Sequence, residues 1–153
     1  MPTLSIIQGF IAAGKTTFAE KSAAETGAVV LNADRWVTEH FTEKDYSADW
    51  DKCYSDAVDA LWRVAEEKIR AGQDVIMDLG FWSRASRVHA RQKAKEWGCA
   101  FCHYYLDTPD SLIHTRLRTR TGPIAEKNLK DYAQIRGSFS PPGDDEEHVI
   151  IRT

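Results

Sequence analysis

Short apolar runs alternate with longer, helix-period stretches along the whole chain. Residues 3–8, with Leu4, Ile6 and Ile7, read as a strand. Residues 28–31 (AVVL) and 74–79 (DVIMDL) are almost wholly apolar, as strands buried on both faces are. Residues 99–106 and 148–152 supply two more. Between them, residues 17–26 predict a helix ended by Gly27. Residues 51–71 put Tyr54, Val58, Leu61, Trp62, Ala65 and Ile69 on one side of a long helix stopped by Gly72. Ser83 caps a basic helix that runs to Trp97 and stops at Gly98. Thr108-Pro109 predicts an N-cap followed by proline at the first helical position, with that helix ending at Gly122-Pro123. A second helical stretch over 125–135 precedes a loop at 139–143 (FSPPG). Residues 35–50 lack a period yet carry Trp36, Phe41, Tyr46 and Trp50, which predicts an irregular or partly helical flap. Strands alternating with helices in this way predict an α/β domain with a parallel sheet.

Composition narrows the classes. At 153 residues, residues 1–153 form one expected domain. A net charge of −3 argues against a dedicated binder of long nucleic acid. No apolar run is long enough for a membrane span. The first residues lack the basic start of a signal peptide, so a cytoplasmic location is expected. Cys53, Cys99 and Cys102 are too few for a disulfide framework. Cys99-Ala-Phe-Cys102-His103 matches the pattern of covalent haem attachment, but it opens a predicted strand, so core cysteines are expected instead.

Chemistry concentrates first in GFIAAGKTT, residues 9–17. Gly9, Gly14, Lys15 and Thr16 fit G-x-x-x-x-G-K-[ST] between a strand and a helix. In such a loop the backbone N–H groups, those of Ala12 and Ala13 included, turn in around a phosphate. Lys15 adds charge at the β- and γ-phosphates, the Thr16 hydroxyl takes a Mg²⁺ position, and Thr17 continues into the helix. The positive end of the helix dipole faces the same anion. A nucleoside triphosphate ligand is the expectation.

Other candidates sit after the strands, where open α/β sheets bind their ligands. Asp34 follows the second strand and suits a general base, or else a magnesium-linked or structural role. Asp78 ends the third strand and suits Mg²⁺, or else merely turns the chain. Arg84 and Arg87 open the basic helix at the ligand edge, where at least one is expected to bind. Arg116 and Arg120 are four residues apart and expected on one helical face, Arg118 elsewhere. Of Trp36, Phe41, Tyr46 and Trp82, one or two are expected to reach ligand.

These segments resemble the small P-loop kinases grouped with polynucleotide 5′-kinase, zeta toxins and chloramphenicol phosphotransferase. The resemblance is carried by GFIAAGKTT, the NADRW turn, GQDVIMDLGFWSRASR and YYLDTPDSLIHTRLRTR, and covers nearly the whole chain. It implies a three-layer P-loop nucleoside-triphosphate hydrolase fold: a five-stranded parallel sheet in the order 2-3-1-4-5, helices on both faces and an arginine-rich lid over about 116–136. It further implies Asp34 as base, Arg35 as an acceptor-orienting residue, Arg116 and Arg120 as a phosphate clamp, and ATP with Mg²⁺ as cofactors. Trp36, Phe41 and Trp82, with Arg84 and Arg87, are the acceptor-binding candidates. Base recognition falls to the lid or residues 139–143, and ATP over GTP follows from the resemblance alone. The expected activity is transfer of a γ-phosphoryl group to the hydroxyl of a small molecule. A nucleic-acid 5′-hydroxyl kinase and a non-kinase nucleotide switch or regulatory ATPase are the alternatives. For the last, Gln8 and Gln134 are the candidates to position a water.

Overall fold

The computed structural model describes residues 1–152, so the last residue of the expected domain lies outside it. Five strands form one sheet: β1 (Thr3–Gln8), β2 (Val29–Asn32), β3 (Val75–Gly80), β4 (Ala100–Asp107) and β5 (Val149–Arg152). They pair in parallel in the order β2-β3-β1-β4-β5, with Leu4 beside Val75 and Phe101. The helices are α1 (Lys15–Thr26), α2 (Ala33–His40), α3 (Glu43–Ala48), α4 (Trp50–Arg70), α5 (Arg84–Trp97), α6 (Asp110–Thr119), α7 (Pro123–Lys130) and α8 (Tyr132–Arg136).

The period-2 alternation of the strands divides the core. Leu4, Ile6, Val75 and Met77 point to one face, where Leu61, Ala65 and Ile69 of α4 and Ala90 and Ala94 of α5 cover them. Ile7 and Ile76 point to the other, against Ala19 and Phe18 of α1. That gives the three layers, helices on both faces of a parallel sheet, that the sequence pattern requires. Among the described residues, no helix is long and apolar enough to cross a membrane.

The expected flap is more ordered than its missing period suggests. Asn32 caps α2, and Thr42 with Asp45 forms a full capping box at α3, so side-chain caps supply what propensity does not. Trp36, Phe41, Tyr46 and Trp50 pack around Val37, Cys53 and Ala57. Two further expectations are corrected. Pro109, not Thr108, is the N-cap of α6, because the Thr108 hydroxyl donates 3.1 Å across to the Ala13 carbonyl. The single helix expected over 125–135 is two, α7 and α8, broken at Asp131. Cys53 is buried, Cys99 and Cys102 are half-buried, and all are free thiols. Cys102 and His103 lie within β4, where a haem attachment segment could not be exposed.

Candidate active site

The loop between β1 and α1 sets the geometry. A Cβ on Gly9 would stand 3.0 Å from Lys15 Cγ and 3.2 Å from Ala13 Cβ, so any larger residue would have to push the Lys15 side chain and Ala13 aside. Gly14 caps α1 at φ 97°, a left-handed conformation that glycine adopts without penalty. No side chain caps α1 and its first turn holds no acid, which leaves its N–H groups and dipole for an anion. Ala12 (φ 57°) and Phe81 (φ 51°) are the two non-glycine residues held in the left-handed region among those described, and both line the same cavity.

Lys15 Nζ donates to the Phe10 carbonyl at 2.8 Å. Burial lowers its pKa, while Asp78 and Asp34 pull it back up. Thr16 Oγ1 donates to Asp78 Oδ2 at 3.1 Å. Asn32 Nδ2 donates to the same carboxylate oxygen at 2.6 Å, while its Oδ1 accepts the Arg35 N–H at 2.8 Å and caps α2. Asn32, invisible as chemistry in the sequence, thus ties the end of β2 to the end of β3. A hydroxyl and one carboxylate, both hard oxygens, fit Mg²⁺, which takes few protein ligands and completes its shell with phosphate and water. No cluster of three metal-ligating acids, histidines or cysteines exists among the described residues.

A cavity of about 680 Å³ opens beside this cradle, bounded by Lys15, Thr16 and Asp78 at one end and by α4 and α5 along its length. Asp34 lines it, its carboxylate open to the cavity although protein surrounds it on most sides. That burial raises its pKa, partly offset by Lys15, and Asp78 pushes it further up. Trp82 lines the cavity and donates Nε1–H to the Gly9 carbonyl at 3.0 Å, so it also braces the loop. A second recess of about 360 Å³ lies on the other side of the loop, lined by Phe18, Leu106, Arg116, Arg120 and Ile151 among others. Arg116 donates to the Ala12 carbonyl at 2.9 Å, and Arg120 lines both spaces. α6 ends at Thr119, so Arg120 leaves the helical face it was expected to share with Arg116.

Several expected acceptor-binding residues are engaged elsewhere. Arg87 is fully buried, paired with Glu146 at 2.7 Å, and donates to the carbonyls of Phe81, Trp82 and Ser140. Arg84 pairs with Asp145 and Glu146. Arg35 is an exposed partner of Glu20, 3.1 Å away. Trp36 stacks on His40 and Phe41 packs in the α2–α4 cluster, and neither lines the cavity. In their place, α4 supplies Trp50, Tyr54 and Trp62, and α5 supplies His89. The stripe expected on one side of the helix is divided: Leu61, Ala65 and Ile69 are buried, with Cys53 and Ala57 beside them, while Tyr54, Val58 and Trp62, joined by Trp50, line the cavity half-buried. The Tyr54 hydroxyl donates to the Leu79 carbonyl, and burial pushes its pKa up.

A parallel sheet in this order, with a glycine loop feeding α1 and an acid closing β3, is the P-loop nucleoside-triphosphate hydrolase fold, in the form shared by small P-loop kinases. The chain belongs to the AAA domain family, whose profile matches residues 4–142. Its backbone superposes on a sugar kinase from Janibacter sp. HTCC2649 with a TM-score of 0.74 at 20% identity, over 99% of this chain and 86% of that one. It superposes on the Mycobacterium tuberculosis APS kinase, solved with AMPPNP and APS, with a TM-score of 0.65 at 21% identity, over 99% and 87%. A gluconokinase from Sinorhizobium meliloti 1021 gives 0.65 at 17%, over 99% and 82%. No curated protein matches the sequence.

Proposed function

We propose that the protein is an ATP- and Mg²⁺-dependent kinase that transfers the γ-phosphoryl group to a hydroxyl of a small molecule. One observation carries this reading: Asp34, a carboxylate with a raised pKa, lines the same cavity as the phosphate loop residues Gly14, Lys15 and Thr16. Kinases solved on the same fold act on sugar, gluconate and APS, which supports a small-molecule acceptor here.

In this reading the loop amides and Lys15 hold the phosphates, with Arg116 and Arg120 closing from the lid side, where charge matters most in the transition state. Thr16 and Asp78 would hold Mg²⁺, which would offset the charge of the phosphates. Asp34 accepts the proton of the acceptor hydroxyl as its oxygen bonds to the γ-phosphorus and the bond from that phosphorus to the β–γ bridging oxygen breaks, releasing ADP; a raised pKa makes a carboxylate a better base.

The alternatives have less support. A nucleic-acid end would bring its own phosphates to an acceptor wall that bears Asp51 and Asp59. Of the two glutamines a hydrolytic switch could use, Gln8 is buried and occupied by Ser140 and His103, while Gln134 is outside the cavity lining.

The test is a screen of the purified protein with labelled ATP and Mg²⁺ against hydroxyl compounds and 5′-hydroxyl oligonucleotides, repeated with Asp34→Asn. Transfer should fall about 10²–10⁴-fold while ATP affinity stays within a few fold. An unchanged kcat in that variant would falsify the base assignment.

A further inference from the structure

The acceptor half of the cavity differs in charge from the phosphate half. Building on the alcohol-kinase reading, we propose that the acceptor is a cation: an amine-bearing alcohol with an apolar or aromatic body. Trp50, Tyr54, Val58 and Trp62 recur every fourth residue along α4 and so form one row that walls the cavity. The carboxylates of Asp51 and Asp59 flank that row, line the same cavity, and have no ion-pair partner among the described residues.

Most basic groups near this wall are committed elsewhere; Arg63, one turn past Asp59 on α4, makes no ion pair among the described residues but does not line the cavity. Arg87 is locked on Glu146, Arg84 on Asp145 and Glu146, and Lys127, at the cavity's lid side, pairs with Asp131 at 2.7 Å. Lys15 and Arg120 remain, at the phosphate end. An acceptor carrying a carboxylate or phosphate therefore enters a recess whose two unpaired carboxylates, both exposed, repel it through solvent. A protonated amine meets the faces of tryptophan, the best partners for a cation, and two unpaired carboxylates. Repulsion of anions and attraction of cations act together, which is how a site separates acceptors of equal size.

The experiment compares phenyl glucosaminide, its N-acetyl derivative and phenyl glucuronide, three alcohols of one shape and three charges, at about pH 7. Binding is read from quenching of tryptophan fluorescence, and ADP release is followed in the same samples. The amine should bind about tenfold more tightly than the N-acetyl compound, with the glucuronide weakest. Asp51→Asn with Asp59→Asn should bring the three within about twofold, and Asp51→Lys with Asp59→Lys should reverse the order. Equal or tighter binding of the glucuronide by the native protein overturns the proposal. So does a preference for the amine that survives both double variants, or no binding of the amine at about 10 mM, a concentration where even weak ligands register. ADP formed from the glucuronide but not from the amine retains the kinase and removes the cationic acceptor. Amine-selective binding with no ADP from any alcohol retains the charged recess and removes the kinase.

Discussion

At the scale of single residues, function rests on groups held by a second partner. Asn32 caps α2 with one amide atom and holds Asp78 with the other. Asn32→Ala should cost about 1 kcal/mol as a lost cap and, by freeing Asp78, lower Mg²⁺ affinity about tenfold. Asn32→Asp keeps the cap and loses the hold on Asp78. Melting and Mg²⁺ titration of the two variants together separate the roles. His103 is a second case. It is 2% exposed, accepts a hydrogen bond from Arg91 at Nδ1 and so donates from Nε2 to Gln8 Oε1. Burial first, then Arg91 and Arg87, lower its pKa to about 4 from 6.5. The folded state therefore keeps it neutral where the unfolded chain binds a proton. Its contribution is complete above the unfolded value of 6.5 and lost as pH falls through 4. About 2 kcal/mol should go between about pH 7.5 and pH 5, and denaturant midpoints of the native protein against His103→Gln measure it.

At the scale of elements, the strand-to-helix junctions carry the site, and one buried pair ties the β3–α5 junction to the connection between α8 and β5. Arg87 of α5 fastens the end of β3 and the 139–143 loop through carbonyls, and fastens Glu146 ahead of β5 by its charge. The partner guanidinium keeps the Glu146 carboxyl below its usual range. That stability is present above the unfolded carboxylate value of 4.5 and lost as pH falls below it. Arg87→Met should cost about 3–5 kcal/mol because it strands a buried carboxylate and several carbonyls. Restoring neutrality with Glu146→Gln in the same chain should recover part of it, which urea unfolding reads directly. Phe139 packs edge-to-face against Phe10, so this fastening reaches the phosphate loop through the rings as well.

For the whole molecule, the sheet places two spaces on opposite sides of one loop, with the lid over both. Arg116→Ala and Arg120→Ala should each lower kcat by more than they raise KM for ATP, since charge on the departing phosphoryl group grows in the transition state. Steady-state kinetics at varied ATP tests this. A small acceptor also implies shallow salt dependence, whereas a phosphate-lined polymer would lose affinity steeply as salt rises.

The sequence by itself determined the phosphate loop, the β–α alternation and the strand-end positions of Asp34 and Asp78. Those depend on local demands: a backbone that only glycine can follow, a period of apolar residues, a cap. It did not determine which arginines meet a ligand, or which row of α4 is core and which is wall. Arg84 and Arg87 stand at the right edge, yet Asp145 and Glu146, about sixty residues away, claim them. Trp62 and Leu61 look alike in a periodic stripe, and only the space left between α4, α5 and the sheet separates them. Charge pairing and packing are settled by whatever the fold brings alongside, and a linear pattern contains no distance between residues far apart in the chain.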